Sequence, residues 1–285
     1  MSREKIWIAG ADGRLGQAVY AVLDRISEYT VLTTDCDVDV TDLEQVMEYA
    51  VINRPSYILN CVGLTDPAYC EKNMIEAYRI NALGPRNLAA ASRRIGATII
   101  QISTDDVFGG QNKGLLTEFD QPDPVTVYGK SKLAGEGFVR ELNPKHIIIR
   151  SSWLYGFGEH DFVTRILNQA NAGETITVPM DQISSPTSAR ELSRFVKKLL
   201  KSQEFGIFHA SCEGECSRMD FVKRILQLAG VEAQVEGVMQ GAGDSPVLRP
   251  CYTRLENLMM KMTGIYSMAP WEDALKEYME DRKRS

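Results

Sequence analysis

Histidine is scarce in this chain, with three in 285 residues. His146, His160 and His209 stand apart from one another, so a catalytic histidine pair is not expected. Six cysteines are present, and only Cys212 and Cys216 lie close together. A C-x3-C pair with no histidine nearby is not a zinc set, so no metal is expected. Cationic excess is also missing: the net charge is −6. The one basic cluster, Arg282-Lys283-Arg284 after Asp281, reads as a solvated helix end, and nucleic acid is not an expected partner. No apolar run approaches the roughly 18 residues of a membrane span. Met1–Lys5 leads straight into a strand-like run, so no signal peptide is expected, and the expected compartment is the cytoplasm with reduced thiols. Repeats and low-complexity linkers are absent as well.

What the sequence does have is alternation. Short apolar runs at Lys5–Ala9, Thr30–Thr34, Tyr57–Cys61, Ala97–Ser103 and His146–Arg150 are separated by segments of helical spacing. Leu15, Val19, Val22, Leu23 and Ile26 mark one such helix, and Ile75–Arg94 another. Thr41, with Glu44 three residues on, has the capping-box pattern. Buried strands separated by helices predict a doubly wound parallel α/β sheet of the Rossmann type. The second half is less regular. Arg190–Lys201 is helical, Gly206–Ala210 is a further strand, Ser217–Ala229 is a capped helix, Gly237–Pro250 a Gly/Pro-rich loop and Trp271–Met279 a closing helix. We expect a dinucleotide-binding domain over 1–150, with 181–211 packing back onto it. Residues 151–180 and 212–285 would then form a smaller C-terminal substrate-binding lobe.

Gly10-Ala11-Asp12-Gly13-Arg14-Leu15-Gly16 is a GxxGxxG loop placed between the first strand and the first helix. There the backbone can turn tightly against a pyrophosphate, and the helix N-terminus supplies free N–H groups. Asp35, after the second strand, can accept from ribose hydroxyls and would repel the 2′-phosphate of NADP. Arg14 argues the other way, and Asp37 and Asp39 crowd the same turn, so NAD(P)H is expected with a slight preference for NADH. Tyr128-Gly129-Lys130-Ser131-Lys132 is YxxxK, which sets Tyr128 and Lys132 on one helical face. A nearby ammonium favours phenolate over phenol, and so suits Tyr128 to acid–base work. Ser103-Thr104 ends a strand at the sheet edge where open α/β folds bind ligands. The adjacent Asp105 and Asp106, taken as strand residues, should point to opposite faces.

In this order the motifs resemble the extended short-chain dehydrogenase/reductases, most closely the dTDP-4-dehydrorhamnose reductase group. The resemblance runs through Asn60–Gly63, Asn81, Ser103–Phe108, Tyr128–Glu136, Arg150–Gly156, Asp181-Gln182, Pro186-Thr187, Arg249-Pro250 and Pro270-Trp271. It implies reduction of a 4-keto nucleotide sugar, dTDP-4-dehydro-L-rhamnose to dTDP-L-rhamnose. Thr104 would polarise the ketone, Tyr128 would donate the proton, and Lys132 would tune Tyr128 and grip the nicotinamide ribose. The cofactor would lie along the Gly10–Gly16 loop through Gly10, Asp12, Gly13, Arg14, Leu15 and Gly16. Asp35, Asp39 and Val40 would follow, then Cys61, Val62, Gly63 and Ser103. The sugar nucleotide would meet Thr65, Thr104, Asp105, Asp106, Trp153 and Arg249. The chain departs from the group where the usual Ser-Thr-Asp-Tyr-Val-Phe carries Asp106, and where Pro67-Ala68-Tyr69 follows the third strand. A non-catalytic NAD(P)-binding regulatory subunit and a nucleotide-sugar epimerase or dehydratase share the pattern. A homodimer is compatible with all three.

Overall fold

The computed structural model describes residues 3–111, 113–158, 161–240, 247 and 249–284. Six strands form one parallel sheet: β1 (Glu4–Ala9), β2 (Tyr29–Thr34), β3 (Tyr57–Asn60), β4 (Thr98–Thr104), β5 (His146–Ser151) and β6 (Gly206–His209). Their spatial order is β2-β1-β3-β4-β5-β6. Register places Ile8, Leu59, Ile100 and Ile147 side by side across four strands.

The longer helices are α1 (Arg14–Leu23), α2 (Leu43–Asn53), α3 (Gly84–Ile95), α4 (Val127–Leu142), α5 (Phe162–Asn171), α6 (Ala189–Leu199), α7 (Arg218–Ala229) and α8 (Trp271–Arg284). Period-two alternation sorts each strand's side chains to the two faces. Ile6, Ile8, Ile147 and Ile149 pack under Leu15, Val19 and Leu23 of α1 and Leu192, Phe195 and Val196 of α6. Trp7, Ala9, Ile58, Ile99 and Ile148 pack under Val46 and Ala50 of α2, Leu88 of α3 and Val139 of α4. Both faces are covered, which is why the strands read as continuous apolar runs, and each buried Ile or Leu contributes roughly 1.5–3 kcal/mol. The sheet is doubly wound, as expected.

Some local expectations change. Asp42, not Thr41, caps α2 by accepting from Glu44 and Gln45 N–H, because a carboxylate one residue nearer the helix outcompetes the hydroxyl. Thr41 instead accepts from Arg79 Nε at 3.2 Å. The single helix expected over Ile75–Arg94 is interrupted by a π-turn at Arg79–Leu83, which passes into α3. Gly237 lies in a strand, Val235–Val238, paired with Ile176–Pro179, so the expected loop starts later; its residues 241–246 and 248 lie outside those described, as does His160.

Residues 189–199 and 206–209 belong to the sheet and its covering helix. The remainder of the second half is built from α5, α7, α8 and two-stranded pairs. Phe162 stacks on Phe221 at 5.7 Å, and Trp271 meets Phe221 edge-on. These rings join the α1/α6 face in one continuous core. Among the described residues no helix is long and apolar enough to cross a membrane.

Candidate active site

The carboxyl ends of β1, β3, β4 and β5 open on one edge of the sheet. At β1 the chain turns through Gly10, whose φ is +79°, a conformation open to glycine. A Cβ on Gly16 would overlap the carbonyl oxygen of Gly10, so α1 can begin directly beneath the turn. No side chain caps α1, and Gly13 is exposed with only Gly10 O near its missing Cβ, at 3.4 Å. The first-turn N–H groups are therefore open to an incoming anion. This cradle fits the pyrophosphate of a nicotinamide dinucleotide.

Asp35 accepts from Asp12 N at 3.0 Å, tying the end of β2 to the loop. Asp39 accepts from Thr41 N, and Val40 is buried and accepts from Asn87. Arg14 turns toward the lobe, where its guanidinium lies 3.6 Å from the buried carboxylate of Asp161. Cys61 and Val62 line the far side of Gly10, whose own Cβ would meet Val62 N at 2.8 Å, and Gly63 lies beside Asn81 and Lys132. Burial pushes the Cys61 thiol up to about 12, so it stays protonated. Thr65 is exposed beyond them.

The π-turn positions Asn81, which is buried. Its side chain bonds both the N–H and the C=O of Leu64, and also Ser131 Oγ at 3.0 Å. It thereby locks the strand after β3 onto α4, the helix that carries Tyr128 and Lys132. Lys132 is buried and donates to Ile102 O at 2.7 Å; burial lowers its pKa to about 8, opposed by Glu136. Tyr128 sits one turn earlier, against Thr104, Asp106 and Arg249. Burial and then the charge of Asp106 raise its pKa above the ordinary phenol value, while Thr104 and Arg249 oppose the shift. Lys132 is not among the strongest influences on Tyr128, and its ammonium donates to the Ile102 carbonyl. The expected depression of the phenol pKa is thus replaced by an elevation.

Ser103 and Thr104 face opposite ways, as strand neighbours must. The Ser103 hydroxyl donates to Glu136 Oε1 at 2.5 Å, and Glu136 pairs with the buried Arg150 at 2.7 Å. Its side chain therefore faces the packed interior and not the cofactor cleft. Thr104 caps a 3₁₀ turn, Asp105–Val107, by accepting from Asp106 N.

That turn overturns the opposite-face expectation for the two acids: both are buried, because the strand has ended before them. Asp105 accepts from Thr253 Oγ1 at 2.5 Å, Thr104 Oγ1 at 3.2 Å and Ser184 Oγ at 3.3 Å. Burial and then Asp106 push its pKa up to about 6, against the lowering effect of Thr253. Asp106 accepts from Arg249 Nη2 at 2.7 and 2.8 Å.

Trp153 adopts φ +41°, a left-handed conformation rare for a bulky residue. It follows β5 at the same edge, and Arg218 lies over its ring at 3.5 Å. Arg218, Ser184 and Thr253 carried no signal in the sequence. They come from three separate segments of the second half, and folding alone assembles them around Asp105. Trp7 and Trp271 are core residues, and His209 is buried with its pKa pushed down to about 3, chiefly by burial.

Comparison with known proteins agrees with this arrangement. The family model described as the RmlD substrate binding domain matches residues 4–284. The spore coat polysaccharide biosynthesis protein SpsK of Bacillus subtilis is 34% identical, over 98% of each chain. A dTDP-4-dehydrorhamnose reductase of Mycolicibacterium smegmatis is 32% identical over 96% of this chain and 84% of its own. A solved dTDP-4-dehydrorhamnose reductase from Bacillus anthracis, in complex with NADP, is 36% identical with TM-score 0.95, covering 98% of this chain and 100% of that one. A UDP-glucose 4-epimerase of Thermotoga maritima, 18% identical with TM-score 0.84, shares the fold. With residues 4–284 matched by the family model and 98% of the chain covered at TM-score 0.95 by a solved relative, this chain belongs to the RmlD substrate-binding domain family, within the extended short-chain dehydrogenase/reductase fold.

Proposed function

We propose that the protein is an NAD(P)H-dependent reductase of a 4-keto nucleotide sugar, and that it converts dTDP-4-dehydro-L-rhamnose to dTDP-L-rhamnose. The observation that carries this reading is a buried phenol, Tyr128, beside the Thr104 hydroxyl and on the same helix as the buried Lys132.

The reduced nicotinamide supplies the hydride. The rest of the chemistry belongs to this chain. Gly10–Gly16 and the N-terminus of α1 hold the pyrophosphate, and Lys132 faces the ribose side of the cleft beside Gly63. Thr104 orients the ketone oxygen toward Tyr128. As negative charge develops on that oxygen, Tyr128 transfers its proton to it, which requires a donor protonated at rest. Trp153 walls the sugar, and the lobe of 151–180 and 212–285 closes over it. Asp35 argues for NADH through repulsion of a 2′-phosphate; the NADP-bound Bacillus anthracis relative argues for NADPH.

The test follows nicotinamide absorbance with enzymatically prepared dTDP-4-dehydro-L-rhamnose, comparing NADPH with NADH. Turnover with either cofactor is expected. Tyr128→Phe should lower kcat by roughly 10²–10⁴-fold, the usual worth of a general acid, while cofactor affinity stays unchanged. No oxidation with either cofactor, in protein shown to bind one of them, would overturn the reading.

A further inference from the structure

Arg218 opens α7 and is 8% exposed. Among the described residues no carboxylate pairs with its guanidinium and no acceptor takes its N–H groups. It touches two aromatic faces: its Cζ lies 3.5 Å from the Trp153 ring centre and 4.9 Å from that of Phe162. Ring quadrupoles ease the burial of a cation but do not replace a counter-ion. The two nearby acids are already engaged, Asp106 by Arg249 and Asp105 by three hydroxyls. Burial and the repulsion of Arg249 both disfavour the charged form of Arg218, yet a guanidinium stays protonated in proteins. Among the described residues its guanidinium is therefore left with no direct partner, offset only through space by Asp105, Cys216 and Asp106. Such a residue is costly to the free protein and useful only when an anion arrives.

We propose that Arg218 is an anion-binding residue of the substrate pocket, and that it receives a phosphoryl group of a nucleoside diphosphate. The proposal rests on the nucleotide-sugar reading above. Trp153, held at φ +41°, lies against the guanidinium carbon at 3.5 Å, so the group is positioned before the ligand binds.

The experiment measures binding of dTDP, thymidine and inorganic pyrophosphate to the full chain saturated with NADP⁺, by calorimetry, for wild type, Arg218→Met and Arg218→Lys. Wild type should bind dTDP. Arg218→Met should weaken dTDP at least tenfold, abolish pyrophosphate binding and leave thymidine unchanged, with Arg218→Lys between. The ligand-free Arg218→Met protein should unfold at the same temperature as wild type or higher, since a bare buried charge has been removed. Unchanged dTDP affinity in Arg218→Met would overturn the proposal. So would equal weakening of dTDP and thymidine, or a lower unfolding temperature; either would make Arg218 a structural prop of Trp153. So would a wild type that binds neither dTDP nor pyrophosphate. Arg218-dependent dTDP binding without turnover of the keto sugar would defeat the reductase reading alone.

Discussion

Asp106 is 2% exposed and its ion pair with Arg249 bridges the β4 edge to the second half of the chain. Cutting Arg249 to Met should leave that carboxylate buried and unpaired. Removing one partner of a buried pair generally costs 3–5 kcal/mol. The Arg249 side chain is 28% exposed, so water can partly reach the vacated space, and we expect the low end, about 3 kcal/mol. Asp106→Asn alone strands the guanidinium instead, which can turn to solvent, and should cost about 1–2 kcal/mol. The double variant Asp106→Asn/Arg249→Met holds no charge there and should fall within about 1 kcal/mol of wild type. The coupling energy in the cycle is then roughly 4 kcal/mol. Urea unfolding of the four proteins measures it directly, and Arg249→Met should melt about 6 °C lower at the 2 °C or more per kcal/mol usual for chains of this size. If Arg249→Met unfolds like wild type, or if the single effects simply add, then the pair is a surface contact and the account of the acidic turn is wrong.

Three further outcomes follow from the same geometry. Lys132, lowered to about 8 by burial, should lose its proton just above neutrality, so kcat/KM should decline above about pH 8; a flat profile to pH 9.5 would remove Lys132 from the mechanism. Gly16→Ala should abolish cofactor binding in a fluorescence titration, because its Cβ overlaps the Gly10 carbonyl oxygen, and unimpaired binding would show that the loop can move aside. Asp105 has a folded pKa of about 6, raised mainly by burial, so its charge costs nothing below the unfolded value near 4 and its full penalty above 6. At about 1.4 kcal/mol per unit, Asp105→Asn should gain roughly 2–3 kcal/mol relative to wild type between pH 4 and pH 7. Urea titrations at the two pH values compare the offsets; an equal offset at both would mean that the carboxyl titrates normally.

The sheet was legible because its causes are local. Ile147-Ile148-Ile149 must be buried on both faces, and the loop from Gly10 to Gly16 must turn where β1 ends; both are decided within a few residues. The 3₁₀ turn at Asp105–Val107 was not legible, since an apolar strand running into two acids gives no sign of which residue stops pairing. Asp42 took the cap from Thr41 by the same narrow margin. The pocket was the least readable part. Asp105 is satisfied by Thr253, 148 positions away, and Trp153, in the bend after β5, is covered by Arg218 from the start of α7. Neither partner carries a motif, because a lone Thr or Arg gains its meaning only from the neighbour that folding supplies.

The charge state of Tyr128 bears on the direction of the reaction. An epimerase or a dehydratase begins by oxidising a sugar hydroxyl, and so needs a base ready to take its proton. A reductase needs the reverse, a phenol ready to give one. In this chain the two strongest influences on Tyr128, burial and Asp106, both oppose the phenolate, and Lys132 on the same helical face donates to Ile102 O. Asp106 therefore has a second consequence beyond its pairing with Arg249. Replacing it with Asn removes the charge that raises the phenol, so it should lower the Tyr128 pKa and move the limb that Tyr128 sets, which lies above the one set by Lys132, to lower pH in both directions of the reaction. Rate profiles in both directions measure that shift. A limb that stays in place would show that the carboxylate does not set the proton inventory of the site.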